Sequence, residues 1–540
     1  MAKRTAAIIG AGHNGLVCAF YLARAGFEVT VIERRSVAGG AAVTEEFHPG
    51  FRNSVASYAV SLLAPQVIAD MRLHALGLRI LERPIANFLP LDDRRYLKMG
   101  GGLARTQAEV AKFSARDADR LPAYLEMLEA VTAVLRELSL QTPPDMTSLS
   151  GTLPRGLHQG RMLARLGIEQ RRDLLALFVR SARDVLEAWF ESEPVKAAYG
   201  FDSVVGNYAS PDTPGSAYVL LHHCFGGVNG KPGQWGHALG GMGAITQAMS
   251  RACEQLGVNL VLDSAVAQVK VAQRRASGVI LADGRELDAD IVVSNLNPRM
   301  LFEALVPASE LPAAFKQAIA RHRNHSATLR MNVALSELPD FSCLPGRSAA
   351  EHHASGIVIA PSLDYMDRAF HDARRDGWSR EPVIELLIPS CVDAGLAPKG
   401  AHVASLFCQQ FAYDLPEGRH WDEEREAAAD LVIDTVTRYA PNFKRSVIAR
   451  SVLTPLDLER KFGLLRGDIM HGVMSLDQLW AARPILGHGD YRTPIAGLYL
   501  CGAGTHPGGG VSGLPGHNAA REIVRDHSLR ARFGRALGLR

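Results

Sequence analysis

"IIGAGHNGLVCAFYLARAGFEVTVIERR" (Ile8–Arg35) reads as a strand, a glycine turn, a helix and a second strand in succession. The apolar run Ala6–Ile9 is that of a buried parallel strand. Gly10-x-Gly12-x-x-Gly15 follows it. The first glycine permits a tight turn, the second lets backbone approach a pyrophosphate, and the third lets the next helix pack close to the strand. Leu16, Val17, Phe20 and Ala23 share one helical face, and Gly26 is placed to end that helix. "FEVTVIE" is a second buried strand. It closes on Glu33, 18 residues after Gly15, near the spacing of an acid that takes a ribose hydroxyl and disfavours a 2′-phosphate. The open question is whether the dinucleotide is a nicotinamide cofactor or a flavin.

Two further stretches answer it. "ERRSVAGGAAV" places the pair Gly39 and Gly40 just beyond the second strand. A nicotinamide site has no need of this pair, whereas a flavin site has, because backbone must slide past the pyrophosphate and ribityl chain. Near the other end, "LYLCGAGTHPGGGVSGLPGHNAAREIVRD" gives a buried strand (Leu498–Cys501), a glycine loop and a helix from about Pro515. So many glycines cost folding entropy. A ligand lying against the backbone, and a helix N-terminus aimed at it, would offset that cost.

Composition bounds the rest. A chain of 540 residues is long for one domain, so two are expected. A net charge of +3 gives no reason to expect a nucleic-acid partner. The first strand starts too close to Met1 to leave room for a signal peptide. No apolar run approaches the roughly 18–20 residues that span a bilayer. The seven cysteines are scattered, with no CxxC pair. That argues against thiol–disulphide chemistry and zinc, and fits a reducing cytoplasm. No metal site is expected.

"GAGHNGL…ERR…GG", "GGMGAITQAM" and "LYLCGAGTHPGGGVSG" together resemble the phytoene-desaturase-type flavoproteins, which share a fold with flavin amine oxidases. "NYASPDTPGSAYVLLHH", "TPLDLERKFGL" and "HGVMSLDQLWAARP" are similar to the branch named pyridine nucleotide-disulphide oxidoreductase domain-containing protein 2. The likeness runs over nearly the whole chain. It implies non-covalent FAD, its pyrophosphate held by Gly10, Gly12, Asn14 and Gly15. Glu33 would take the adenosine ribose, Arg34 would flank the adenine, and Val266 would meet it through backbone. Gly39, Gly40, Ala41 and Ala42 would line the ribityl side. Gly502, Gly504, Thr505, Gly509, Gly510 and Val511 would run along the ribityl chain and isoalloxazine. The sequence departs from the pattern twice: Ala41 stands where many relatives have Arg, and Ala503 where many have an acid.

The expected architecture is α/β: a doubly wound, Rossmann-type FAD-binding domain (1–79, 236–297 and 461–540) and a discontinuous mixed α+β substrate domain (80–235 and 298–460). "RMNVALSEL" and "PVIELLIPS" read as strands of the second domain. The arginine-rich helical stretch Leu153–Ser192 has two readings. One is a basic amphipathic surface on a membrane headgroup layer. The other, favoured by the balancing Glu169, Asp173, Asp184 and Glu187, is a solvated helix pair.

The implied chemistry is dehydrogenation of a largely apolar small molecule by hydride transfer to flavin N5, the cofactor carrying the hard step. Amine oxidation to an imine and a flavin-bound scaffold without turnover are the alternatives. His506, in "GTHPGGG", and His223, in "VLLHHCFGG", are the catalytic candidates, since imidazole suits proton transfer near neutral pH. A purely structural role is open for each. Trp235 is a candidate wall of the substrate cavity. With no second GxGxxG, oxygen or a quinone is the expected electron acceptor, with direct isomerisation also open.

Overall fold

Strand Thr5–Ile9 is the middle strand of a five-stranded parallel sheet in the computed structural model, which describes residues 3–92, 94–147 and 149–528. The outermost ends of the expected cofactor domain, 1–2 and 529–540, lie outside the described residues. The sheet order is Asn259–Val261, Glu28–Ile32, Thr5–Ile9, Ile291–Ser294, Leu498–Leu500, with every neighbouring pair parallel. Residues Ala6–Ile9 and Ile291–Val293 are buried, as strands covered on both faces require. Helix His13–Arg24 packs against helices Gly243–Gln255 and Leu514–Asp526. A Cβ on Gly516 would stand 2.1 Å from the Asn14 carbonyl, so the last helix meets the first backbone to backbone. Gly26, at φ +90°, follows the first helix.

The stretch after Asn259 forms an antiparallel sheet of Val266–Ala272, Arg275–Leu281 and Glu286–Asp288 before strand Ile291–Ser294 enters the parallel sheet. A separate seven-stranded sheet runs Val447–Leu453, Thr328–Leu335, His402–Phe411, Trp378–Leu387, Gly356–Ile359, Asn87–Pro90, Tyr96–Met99. Its pairs are antiparallel except Gly356–Ile359 with Asn87–Pro90. The "RMNVALSEL" and "PVIELLIPS" strands lie inside it. The fold is thus an α/β one, with a doubly wound cofactor sheet and a mixed second sheet.

The arginine-rich stretch forms helices Leu149–Leu163, Ile168–Val179 and Ala182–Trp189. Arg155 pairs with Glu522 at 2.9 Å, Arg165 with Glu137 at 2.9 Å and Arg183 with Asp364 at 2.7 Å. Leu166 and Leu177 are buried, whereas Leu157, Ile168 and Leu175 are exposed. Among the described residues no helix is long and apolar enough to cross a membrane.

Candidate active site

A cavity of about 390 Å³ opens between the two sheets. At one end the chain turns at Gly10 (φ +94°), whose amide donates to the Ile32 carbonyl at 2.8 Å. Gly12 caps helix His13–Arg24, and no side chain satisfies the first amides. Those free N–H groups and the helix dipole form an anion site. Asn14 is buried and lines the cavity, and its Oδ1 has no partner. A diphosphate fits the free backbone amides, and an attached ribose hydroxyl can donate to Asn14 Oδ1.

Glu33 lies at the end of the second strand, buried against the cavity. Its Oε2 accepts from the Ala11 amide at 2.9 Å and its Oε1 from the Arg35 amide at 3.0 Å. Two backbone donors therefore fix the carboxylate, which keeps lone pairs for a ribose hydroxyl. Arg34 donates to the Lys461 carbonyl at 2.9 Å and tethers the segment 460–464, part of which forms the cavity roof. Val266, Leu296, Met300 and Leu305 supply an apolar end suited to adenine. Gly40, Ala41, Gly510 and Val511 continue the lining, and His13 Nε2 lies 3.2 Å from the Gly510 carbonyl.

Other expected cofactor residues stand behind the lining, each for a packing reason. A Cβ on Gly15 would meet the Gly10 carbonyl at 2.2 Å, so this glycine seats helix on turn. Gly39 donates to the Ala11 carbonyl at 2.9 Å, and Ala42 is fully buried, its carbonyl accepting from Thr246 at 2.8 Å. Gly502 abuts the Asn295 backbone and Gly504 abuts Pro298. The Thr505 hydroxyl donates to the Gly502 carbonyl at 2.8 Å. Gly509 packs on Met470 and faces a different cavity. Ala503 does line the cavity, and its carbonyl accepts from Arg483 at 2.9 Å. Fully buried, Arg483 also binds the Met470 carbonyl at 2.6 Å, pinning the glycine loop to segment 470–473.

The two catalytic candidates separate. His223 lines the cavity and stacks on Trp235, ring centroids 6.1 Å apart. Its Nδ1 lies 2.8 Å from the Val219 carbonyl, which assigns the proton to Nδ1, and the ring also lies against the Asp202 backbone. His506 does not reach the cavity. Its ring is buried against helix Ala115–Ser139, Nε2 lying 3.3 Å from the Leu138 carbonyl, while Tyr491 holds its own carbonyl at 2.9 Å. The reading of His506 as a catalytic candidate is corrected: its side chain packs into helix Ala115–Ser139, outside the cavity lining. His506→Ala is expected to retain FAD and lose about 1–3 kcal/mol of stability, measured by thermal melting. A variant with unchanged melting but slowed flavin reduction would restore it to the site.

Residues without local sequence signals complete the far end. Tyr58 and Phe407 both line the cavity and stack on each other, centroids 4.6 Å apart at 24°. The buried Arg330 guanidinium lies 4.8 Å from the Tyr58 ring centroid. Tyr58 donates to Glu385 at 2.5 Å, and Arg83 approaches that carboxylate at 3.7 Å.

Burial depresses the histidines here. His13, His223 and His506 fall to about 4, His222 and His471 to about 3. In the unfolded chain each titrates near 6.5. Their stabilising contribution is therefore complete above pH 6.5 and is lost as pH falls toward 4, because only the unfolded chain takes up protons in that window. The melting temperature is expected to fall steadily from pH 7 to pH 5. A flat or rising profile would contradict this.

The fold and cavity define a flavin-dependent oxidoreductase. A family model described as flavin containing amine oxidoreductase matches residues 15–329, and the chain belongs to that family. It is 42% identical over 541 residues to pyridine nucleotide-disulfide oxidoreductase domain-containing protein 2 of Rattus norvegicus, covering 96% of this chain and 93% of the relative. It is 27% identical to a lycopene-forming phytoene desaturase of Pantoea ananas, covering 94% and 96%. An oxidoreductase from Methanosarcina mazei shares the fold, with a TM-score of 0.60 at 15% identity, covering 96% of this chain and all of that one. The resemblance read from the sequence therefore holds, and FAD is the cofactor. Despite the disulfide in the relative's name, all seven cysteines are free.

Proposed function

We propose that this flavoenzyme removes two hydrogens from a largely apolar small molecule and leaves a carbon–carbon double bond. The supporting observation is the Tyr58–Phe407 contact. An amine held between aromatic faces needs the two rings apart, one on each side; here they touch, so no slot exists between them. Charge argues the same way. Arg83 and Arg330 outnumber Glu385, because burial pushes Asp202 up to about 8 and keeps it protonated at neutral pH. A net positive charge behind the cavity wall disfavours an ammonium substrate. The likeness to a phytoene desaturase favours an unsaturated hydrocarbon as substrate.

Bound FAD supplies the hydride acceptor. Val205, Trp235, Phe407 and Met470 exclude water and hold the substrate by apolar contact. The Nε2 of neutral His223 receives the proton that leaves the adjoining carbon. Anaerobic titration with alicyclic and polyene hydrocarbons is expected to bleach the flavin. Bleaching by amines alone would overturn the proposal.

A further inference from the structure

We infer that a second cavity, of about 570 Å³ on the far side of the glycine loop, binds a quinone-type electron acceptor, with the His222 imidazole hydrogen-bonded to a ring carbonyl. The inference needs FAD in the first cavity but not the identity of the substrate.

The wall between the cavities is thin. Leu62 lines both, and the consecutive residues Gly509 and Gly510 face opposite ones. Hydride transfer needs reacting atoms about 3–3.5 Å apart, which this wall prevents. Electrons cross such a barrier. An occupant of the second cavity is therefore placed to take electrons from the flavin rather than to give it hydride.

The lining matches a ring with an apolar tail. Leu63, Ile68, Ile80, Leu140 and Phe225 form the walls, with the exposed Gln66, Arg72 and Lys231 at the mouth. His222 and Gly509 are buried at the inner end. The His222 ring lies beside the Gly509 backbone, yet neither nitrogen completes a hydrogen bond. Leaving such a group unpaired costs about 1–3 kcal/mol, which an occupant with a polar oxygen would recover. Arg136 is not the recognising group, since it is committed to the Phe225 and Cys224 carbonyls at 2.8 and 3.0 Å. Burial holds His222 neutral, with one N–H donor and one lone pair. The ring can therefore donate to a quinone carbonyl and accept from a quinol hydroxyl. The step balances: the flavin gives up the two electrons left by the substrate and sheds the accompanying proton to solvent through the first cavity, while the quinone takes the two electrons with two protons from water at the mouth and becomes quinol.

The test is calorimetric titration of the oxidised holoenzyme with ubiquinone-1, for wild type, His222→Leu and Ala69→Trp. Ala69 is exposed on helix Pro65–Asp70 and lines the mouth, so tryptophan there blocks entry without disturbing the core. Wild type is expected to bind saturably, and both variants at least tenfold more weakly with FAD content unchanged. After dithionite reduction, reoxidation by ubiquinone-1 should slow by a similar factor in both, while reoxidation by ferricenium stays at the wild-type rate. If His222→Leu loses FAD, Ala69→Trp alone decides. Absence of saturable binding in wild type, equal affinity in wild type and variants, or an equal slowing with ferricenium overturns the inference. Because no organic substrate is used, none of these outcomes depends on the desaturation proposal.

Discussion

Gly12→Val is expected to give a colourless protein, with less than one-tenth of the wild-type FAD content after purification. A Cβ at Gly12 would already stand 2.7 Å from Asn295 Nδ2, closer than real Cβ contacts come. Asn295 can swing away, so the fold survives at an overpacking cost of about 1–3 kcal/mol. The cofactor has no such freedom. The valine methyl groups would project over the uncapped amides at the start of helix His13–Arg24. Losing two hydrogen bonds to a charged diphosphate, at about 1.5–3 kcal/mol each, weakens binding by two to four orders of magnitude. Gly15→Val serves as the contrast. There the clash is with the Gly10 carbonyl at 2.2 Å, and it should cost the fold itself. Circular dichroism separates the two variants. A yellow, stoichiometric Gly12→Val protein would show that the pyrophosphate lies elsewhere.

His223→Phe carries the second large effect. Phenylalanine preserves the stacking on Trp235 but removes the Nε2 lone pair. With FAD retained, flavin reduction by substrate should slow about 10²–10⁴-fold, the usual worth of a positioned base. The pH dependence identifies the group. His223 must be neutral to act, and burial holds it so down to about pH 4. The wild-type reduction rate should be level from pH 8 to pH 5 and fall tenfold per unit below about 4. The Phe variant should show no such limb. A wild-type limb near pH 6.5, or an unchanged rate in the variant, would remove His223 from the mechanism.

The cofactor end of the cavity was legible because its constraints are local. A backbone that must approach a diphosphate needs Gly10 and Gly12 at fixed offsets, and an acid closing the next strand must follow at Glu33. The C-terminal glycines were less transparent. A missing Cβ can serve a ligand or a neighbouring backbone, and Gly502 and Gly504 serve Asn295 and Pro298. For His506 the loop position was readable but the side-chain direction was not, since that depends on helix Ala115–Ser139 hundreds of residues away. The substrate end had no local signature at all. Tyr58, Arg330, Glu385 and Phe407 come together through strand pairing in the second sheet and its contact with the segment around Tyr58. One hint was present: an arginine opening the apolar strand "RMNVALSEL" must be paired or stacked if it is buried, and Arg330 is both.

The chemistry of the bond that is oxidised is settled most directly by one single-turnover measurement. Enzyme and a substrate that bleaches the flavin are mixed anaerobically in water enriched in heavy oxygen, and the product is weighed by mass spectrometry. Desaturation predicts a product two hydrogens lighter than the substrate, with no heavy oxygen and no ammonia released. An imine would hydrolyse, so a heavy-oxygen-labelled carbonyl with stoichiometric ammonia or amine would contradict the account and make the enzyme an amine oxidase.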